Sequence, residues 1–87
     1  MKVAVWDTYV IKENGNTIHF DILVPDDLMD IKTVYSYGID YLSSLNIISK
    51  SFDSKECNFC HIEEATEDMV TAIKEKGYYI IEMEGYE

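Results

Sequence analysis

Two short strings carry residue types that do chemistry in proteins. The first is Cys57-Asn58-Phe59-Cys60-His61. As written, C-x-x-C-H is the attachment pattern of a c-type haem, whose vinyl groups the thiols bond while the histidine ligates iron. Such attachment follows export, and the Met1–Trp6 start shows no apolar stretch leading to a small-residue cleavage site. A C-x-x-C that opens a helix is a thiol redox pair, because the helix N-terminus lowers a thiol pKa. Here Ile62-Glu63-Glu64-Ala65 separates the cysteines from the next helix cap, Thr66, and Glu56, Glu63 and Glu64 oppose a thiolate. No cis-proline candidate lies nearby, since Pro25 is the sole proline. The third reading is a zinc or iron site, in which Cys57, Cys60 and His61 supply up to three ligands if the string is a turn. In a regular strand Cys57 and His61 face one side and Cys60 the other. A fourth ligand would come from His19 or Asp21. Against all three stands a structural role: reduced cysteines packed as small apolar side chains, with His61 and Asn58 satisfying backbone groups.

The second string pair is Trp6-Asp7-Thr8-Tyr9 facing His19-Phe20-Asp21. Asp7, Tyr9, His19 and Asp21 in one cross-strand neighbourhood give a carboxylate-oriented imidazole, suited to general base work or to metal ligation. Two opposed carboxylates repel unless a cation, a proton or a charged imidazole sits between them. The structural alternative is a surface His–Asp pair that fixes a hairpin's register, worth under about 1 kcal/mol. No serine or cysteine is tied to His19 by the sequence, so no nucleophilic triad is read. The aromatic residues Trp6, Phe20, Tyr35, Tyr41, Tyr78 and Tyr79 read as core and core edge rather than as a binding groove.

Positioning these residues requires a hairpin. Lys2–Glu13 and Asn16–Pro25 are rich in β-formers and flank Asn14-Gly15, a strong short hairpin signal. A two-residue loop would put Asp7 among Val5, Ile18, Phe20 and Ile22. A three-residue loop pairs Lys12 with Asn16, gathers Ala4, Trp6, Val10, Ile18, Phe20, Ile22 and Val24 on one face, and leaves Asp7, Tyr9, His19 and Asp21 on the other. An unpaired buried carboxylate is costly, which favours the second register. Asp26-Asp27 then opens a helix with an apolar stripe from Leu28 to Leu45, and Asn46 stops it. Ile47–Lys55 reads as a loop and Glu56–Glu63 as a short third strand or extended turn. Thr66 caps a second helix that Gly77 ends, and Tyr78–Glu84 alternates as a final strand. The expected fold is a single α+β domain over residues 1–87. Its order is ββαβαβ, with a four-stranded mixed sheet, a right-handed parallel crossover around the second helix, and both helices packed on one face.

The chain has 87 residues, 47% of them apolar, 13% aromatic and 28% charged, which is a globular composition. Seventeen acids against seven lysines give a net charge of −10, with no arginine. Without a basic face or arginine forks the chain is a poor partner for nucleic acid, nucleotides or anionic membranes. Cations and basic protein surfaces remain, as does the plain reading that net charge keeps a small protein soluble. No apolar run approaches the roughly 20 residues of a membrane helix. A cytoplasmic, bacterial protein is expected.

At Val5-Trp6-Asp7-Thr8-Tyr9-Val10, His19-Phe20-Asp21, Glu56-Cys57-Asn58-Phe59-Cys60-His61 and Gly77–Gly85 the chain resembles a family of small bacterial single-domain proteins catalogued as a domain of unknown function. The likeness spans essentially the whole chain. It implies an α+β domain in a bacterial cytoplasm and, since the family has no established activity, it carries over no catalytic role. Asp7, His19, Asp21, Cys57, Cys60 and His61 match what looks like the family's signature. The leading expectation is a non-enzymatic interaction module that uses the open sheet face at Asp7, Tyr9, His19 and Asp21 and needs no cofactor. Its partner would be a second copy, another protein or a divalent cation. The runner-up is zinc or iron bound through Cys57, Cys60 and His61. An enzyme with His19 as general base comes third.

Overall fold

In the computed structural model, which describes residues 1–12, 15, 17–47, 49–51 and 57–83, the alternating β-formers pair as a hairpin of β1 (Lys2–Lys12) and β2 (Thr17–Pro25). Ile11 stands opposite Thr17, Tyr9 opposite His19 and Asp7 opposite Asp21, the register expected of a three-residue connection. Gly15 takes a φ of +93°, which glycine adopts without a Cβ penalty. Glu13, Asn14 and Asn16 lie outside the described residues. The register buries Ala4, Trp6, Val10, Ile18, Phe20, Ile22 and Val24 on one face and Val3, Val5 and Leu23 on the other. One end of the hairpin is therefore covered on both sides, as its unbroken Ile22-Leu23-Val24 run suggests.

The first helix, α1 (Ile31–Ser44), starts later than Asp26-Asp27. Asp30 is the cap, accepting from the Lys32 N–H at 3.1 Å and the Thr33 hydroxyl at 2.9 Å. Asp26 and Asp27 instead turn the chain after Pro25, whose carbonyl accepts from the Leu28 N–H at 3.0 Å. Val34, Gly38 and Leu42, one turn apart, form the buried stripe of α1, and Val34 and Leu42 pack in the cluster of Trp6, Phe20 and Ile22. Asn46 ends the helix at a φ of +57°.

The sheet corrects the expected topology. It has five strands, and every pairing is antiparallel rather than mixed. The element order is ββαββαβ, because Ser49–Ser51, read as loop, pairs as β3 with Ile11 and Lys12. Ser-Lys-Ser has little intrinsic strand preference; the free margin of β1 recruits it. The fourth strand, β4 (Cys57–Glu64), lies beside Lys2–Thr8 on that same margin. The last, β5 (Tyr79–Glu82), pairs with β2 on the opposite margin.

The second correction concerns the helices, which pack on opposite faces. The second helix, α2 (Glu67–Lys76), places Met69 and Ile73 on Val3, Val5 and Leu23, away from α1. It joins β4 on one margin to β5 on the other, so no parallel crossover forms. Ten residues rise about 15 Å, close to the roughly 14 Å across the three gaps from β4 to β5. Both strand ends that α2 joins lie near Lys2 and Leu23, as Glu64 opposes Lys2 and Tyr79 opposes Leu23. The helix covers that end of its face and leaves the other end open. Among the described residues no helix is long and apolar enough to cross a membrane.

Candidate metal centre

The uncovered end carries every second residue of the hairpin beyond the reach of α2: Asp7 and Tyr9 from β1, His19 and Asp21 from β2. Tyr9 and His19 are cross-strand partners, and their rings stack with centroids 4.2 Å apart and planes 12° from parallel. Held this way, the imidazole presents Nε2 to the two carboxylates. It lies 3.7 Å from Asp7 Oδ1 and 3.7 Å from Asp21 Oδ1. The side chains are 36% (Asp7), 22% (His19) and 14% (Asp21) exposed. His19 Nε2 and Asp21 Oδ1 are themselves buried and have no hydrogen-bond partner. One donor atom from each of Asp7, His19 and Asp21 falls within 4.8 Å of the others.

The electrostatics follow from the cross-strand register. Asp21 directly opposes Asp7, and its carboxyl is pushed up to about 7 by burial, by a hydrogen bond to Asp7 and by the Asp7 charge, while His61 pulls it down. Asp21 thus holds its proton well above the ordinary carboxylate range, as a largely buried carboxyl facing a like charge does.

The Cys57–His61 string lies on β4, and the structure brings part of it to the same place. Between Val5 and Trp6 the ladder slips by one residue: His61 opposes Val5, Phe59 opposes Trp6, and Cys60 is the extra residue of a bulge. Consecutive side chains alternate in a regular strand, but across this bulge Cys60 and His61 meet, Sγ to Nδ1 at 3.2 Å. His61 Nε2 is 2.8 Å from Glu63 Oε1. The Cys60 thiol is pushed above its ordinary range by loss of water against the strand, and further by Asp7 and Asp21. Phe59, on the other side, meets Trp6 edge-on with centroids 5.7 Å apart.

Asp7, Tyr9, His19 and Asp21 therefore converge as the hairpin register required, and Cys60 and His61 approach them from β4. Cys57 opposes Thr8, two residues along β1 from the Trp6 row, and its side chain lies outside the described residues. Sequence reasoning missed Glu63 as the partner of His61, although its signal was present: residues two apart on one strand share a face. A separate shallow hollow on the margin of β5, lined by Tyr41, Lys76, Tyr79 and Glu82, contains none of these groups.

Residues 1–83 match the family described as Domain of unknown function (DUF2024). The chain is also similar to protein NE1680 from Nitrosomonas europaea, a structural genomics target solved by NMR. The two are 38% identical, the match covers 100% of each chain, and the TM-score is 0.85. No curated protein matches the sequence.

Proposed function

The chain belongs to the DUF2024 family, and we propose that it is a binding module for a divalent cation held by Asp7, His19 and Asp21 on the open end of the sheet. The observation that carries this reading is the pair of 3.7 Å gaps around His19 Nε2. They are too long for hydrogen bonds. They are close to the edge of about 3.4 Å that a tetrahedron has when its metal–ligand bonds are about 2.1 Å. A cation placed among the three atoms replaces the Asp21 proton, satisfies His19 Nε2 and Asp21 Oδ1, and removes the repulsion between opposed carboxylates. One nitrogen and two oxygens suit zinc, iron(II) or manganese(II), with the remaining coordination positions toward solvent. A net charge of −10 raises the local concentration of cations around the site.

The test uses protein purified without a histidine tag and without added metal. Elemental analysis and calorimetric titration with zinc(II) and manganese(II) should find close to one equivalent per chain. Asp21→Asn and His19→Ala should each weaken binding at least about tenfold, the scale on which losing even an outer partner of a ligand acts. Sub-stoichiometric binding, or an Asp21→Asn chain that binds as tightly as wild type, sinks the reading.

A further inference from the structure

The two margins of the sheet are built differently. On one, β4 carries a bulge and the ionisable residues His61, Glu63 and Glu64, features that spoil a template for further strands. On the other, β5 pairs with β2 through Tyr79-Ile80-Ile81-Glu82 without a register shift, and it has no proline or bulge. Among the described residues nothing pairs with its outer margin. The Met83 N–H donates to the His19 carbonyl at 2.9 Å, so Met83, Ile81 and Tyr79 turn their backbone groups toward β2. Alternation then sends the N–H and C=O of Ile80 and Glu82 outward.

From this margin we infer an interface between two copies of the chain, whose β5 strands pair antiparallel about a two-fold axis at Ile80. Ile80 meets Ile80 of the second copy, and the two exchange their outward N–H···O bonds. Tyr79 meets Ile81, an aromatic pair with a β-branched residue, on the face that α2 covers. Glu82 meets Tyr78. The axis makes every unlike pair twice, which is how one short strand closes a dimer.

Charge selects both the occupant and the register. A hollow of about 500 Å³ lies along β5, with Lys76 of α2 and Glu82 in its lining. Lys76 Nζ is 5.1 Å from the centroid of the Tyr78 ring and has no carboxylate partner among the described residues. Glu82 is held by the Tyr41 hydroxyl, which donates to its Oε2. Because Glu82 of the second copy opposes Tyr78, its carboxylate arrives beside that ammonium. An axis at Ile81 would instead set Glu82 against Ile80 and leave both lysines without an acid. A foreign segment would need an acid at that one position, whereas a second copy brings it. The net charge of −10 opposes self-association at long range, and about 0.15 M salt, with a Debye length of about 8 Å, screens that repulsion. A four-residue strand gives a small contact, so the dimer forms in a concentration-dependent equilibrium.

Sedimentation equilibrium in that salt compares wild type, Lys76→Glu, Glu82→Lys, the double variant carrying both changes, and Glu82→Pro. A chelator is present, so that no cation bridges two copies. The wild-type dimer fraction should rise with concentration. Each charge reversal sets like charges together and should weaken the dimer at least about tenfold, and the double variant should recover most of the loss. Lys76→Glu makes the chain more acidic and Glu82→Lys less so, and a loss in both therefore separates the local pair from general repulsion. Glu82→Pro removes an outward donor and leaves the N–H groups that β5 gives to β2, so it should weaken the dimer with the circular dichroism unchanged. A wild-type chain that stays monomeric at millimolar concentration overturns the inference, also where its β5 margin takes up a foreign extended peptide instead. So does a dimer that Glu82→Lys strengthens, or one that a folded double variant fails to restore.

Discussion

Asp21 meets Asp7 across the hairpin with its carboxyl raised from 3.8 to about 7, chiefly by burial and then by the Asp7 hydrogen bond and charge. A carboxyl raised in the folded state binds its proton more tightly there than in the unfolded chain. Its contribution to stability is complete below about pH 4 and is lost as the pH climbs through about 7. In the presence of a chelator, the wild-type melting temperature should therefore fall between about pH 4 and pH 7, and Asp21→Asn should flatten that fall. A wild-type profile as flat as that of the variant would refute the raised Asp21 carboxyl. The gathering of Asp7, His19 and Asp21 was legible in the sequence, because the cost of burying Asp7 selects one of two hairpin registers. The arrival of Cys60 beside His61 was not. A bulge is decided by the fit of β4 to β1, with Phe59 against Trp6, and no local propensity announces it.

The helices show the same division between local and distant causes. For α2 the signals are local: Thr66 accepts from the Met69 N–H at 3.3 Å, Glu67 and Asp68 fill the first turn, Lys74 and Lys76 the last, and Gly77 closes it at a φ of +96°. All of these could be read in advance. A Cβ on Gly77 would lie 2.7 Å from the Tyr37 hydroxyl, whose ring stacks on Tyr78 with centroids 4.7 Å apart. Gly77→Ala should thus cost about 2 kcal/mol in urea unfolding, combining left-handed strain with displacement of Tyr37. Asp30→Ala should cost about 1 kcal/mol, because the Lys32 N–H and the Thr33 hydroxyl both lose their acceptor. Losses under about 0.5 kcal/mol, the range of an ordinary surface substitution, would contradict either account. The side of the sheet that each helix takes was not legible. That choice depends on Val3, Val5 and Leu23 forming a second apolar patch only after the strands have paired. The three-residue β3 likewise exists through its neighbour rather than its composition.

At the scale of the whole chain, the proposed cation site on a chain of charge −10 should make stability responsive to cations. A ligand at about 100 times its dissociation constant adds about 2.7 kcal/mol. In a domain of this size each kcal/mol moves the melting temperature by roughly 4–8 °C. Zinc(II) or manganese(II) should thus raise it by more than about 10 °C, far above sodium chloride at equal ionic strength, which only screens. Asp21→Asn should retain the sodium chloride effect and lose the rest; equal responses to both salts would argue against a specific site. The antiparallel wiring has a consequence for the order of assembly. Val10 and Ile18 pair only eight positions apart in the sequence, whereas Ile80 reaches Ile22 only after α2 has carried the backbone from margin to margin. Because closing nearby pairings costs less chain entropy, the last strand is expected to dock after the folding barrier has been crossed. Trimming Ile18 to alanine should then slow refolding, and trimming Ile80 to alanine should speed unfolding while refolding keeps its pace, a contrast that stopped-flow chevrons resolve.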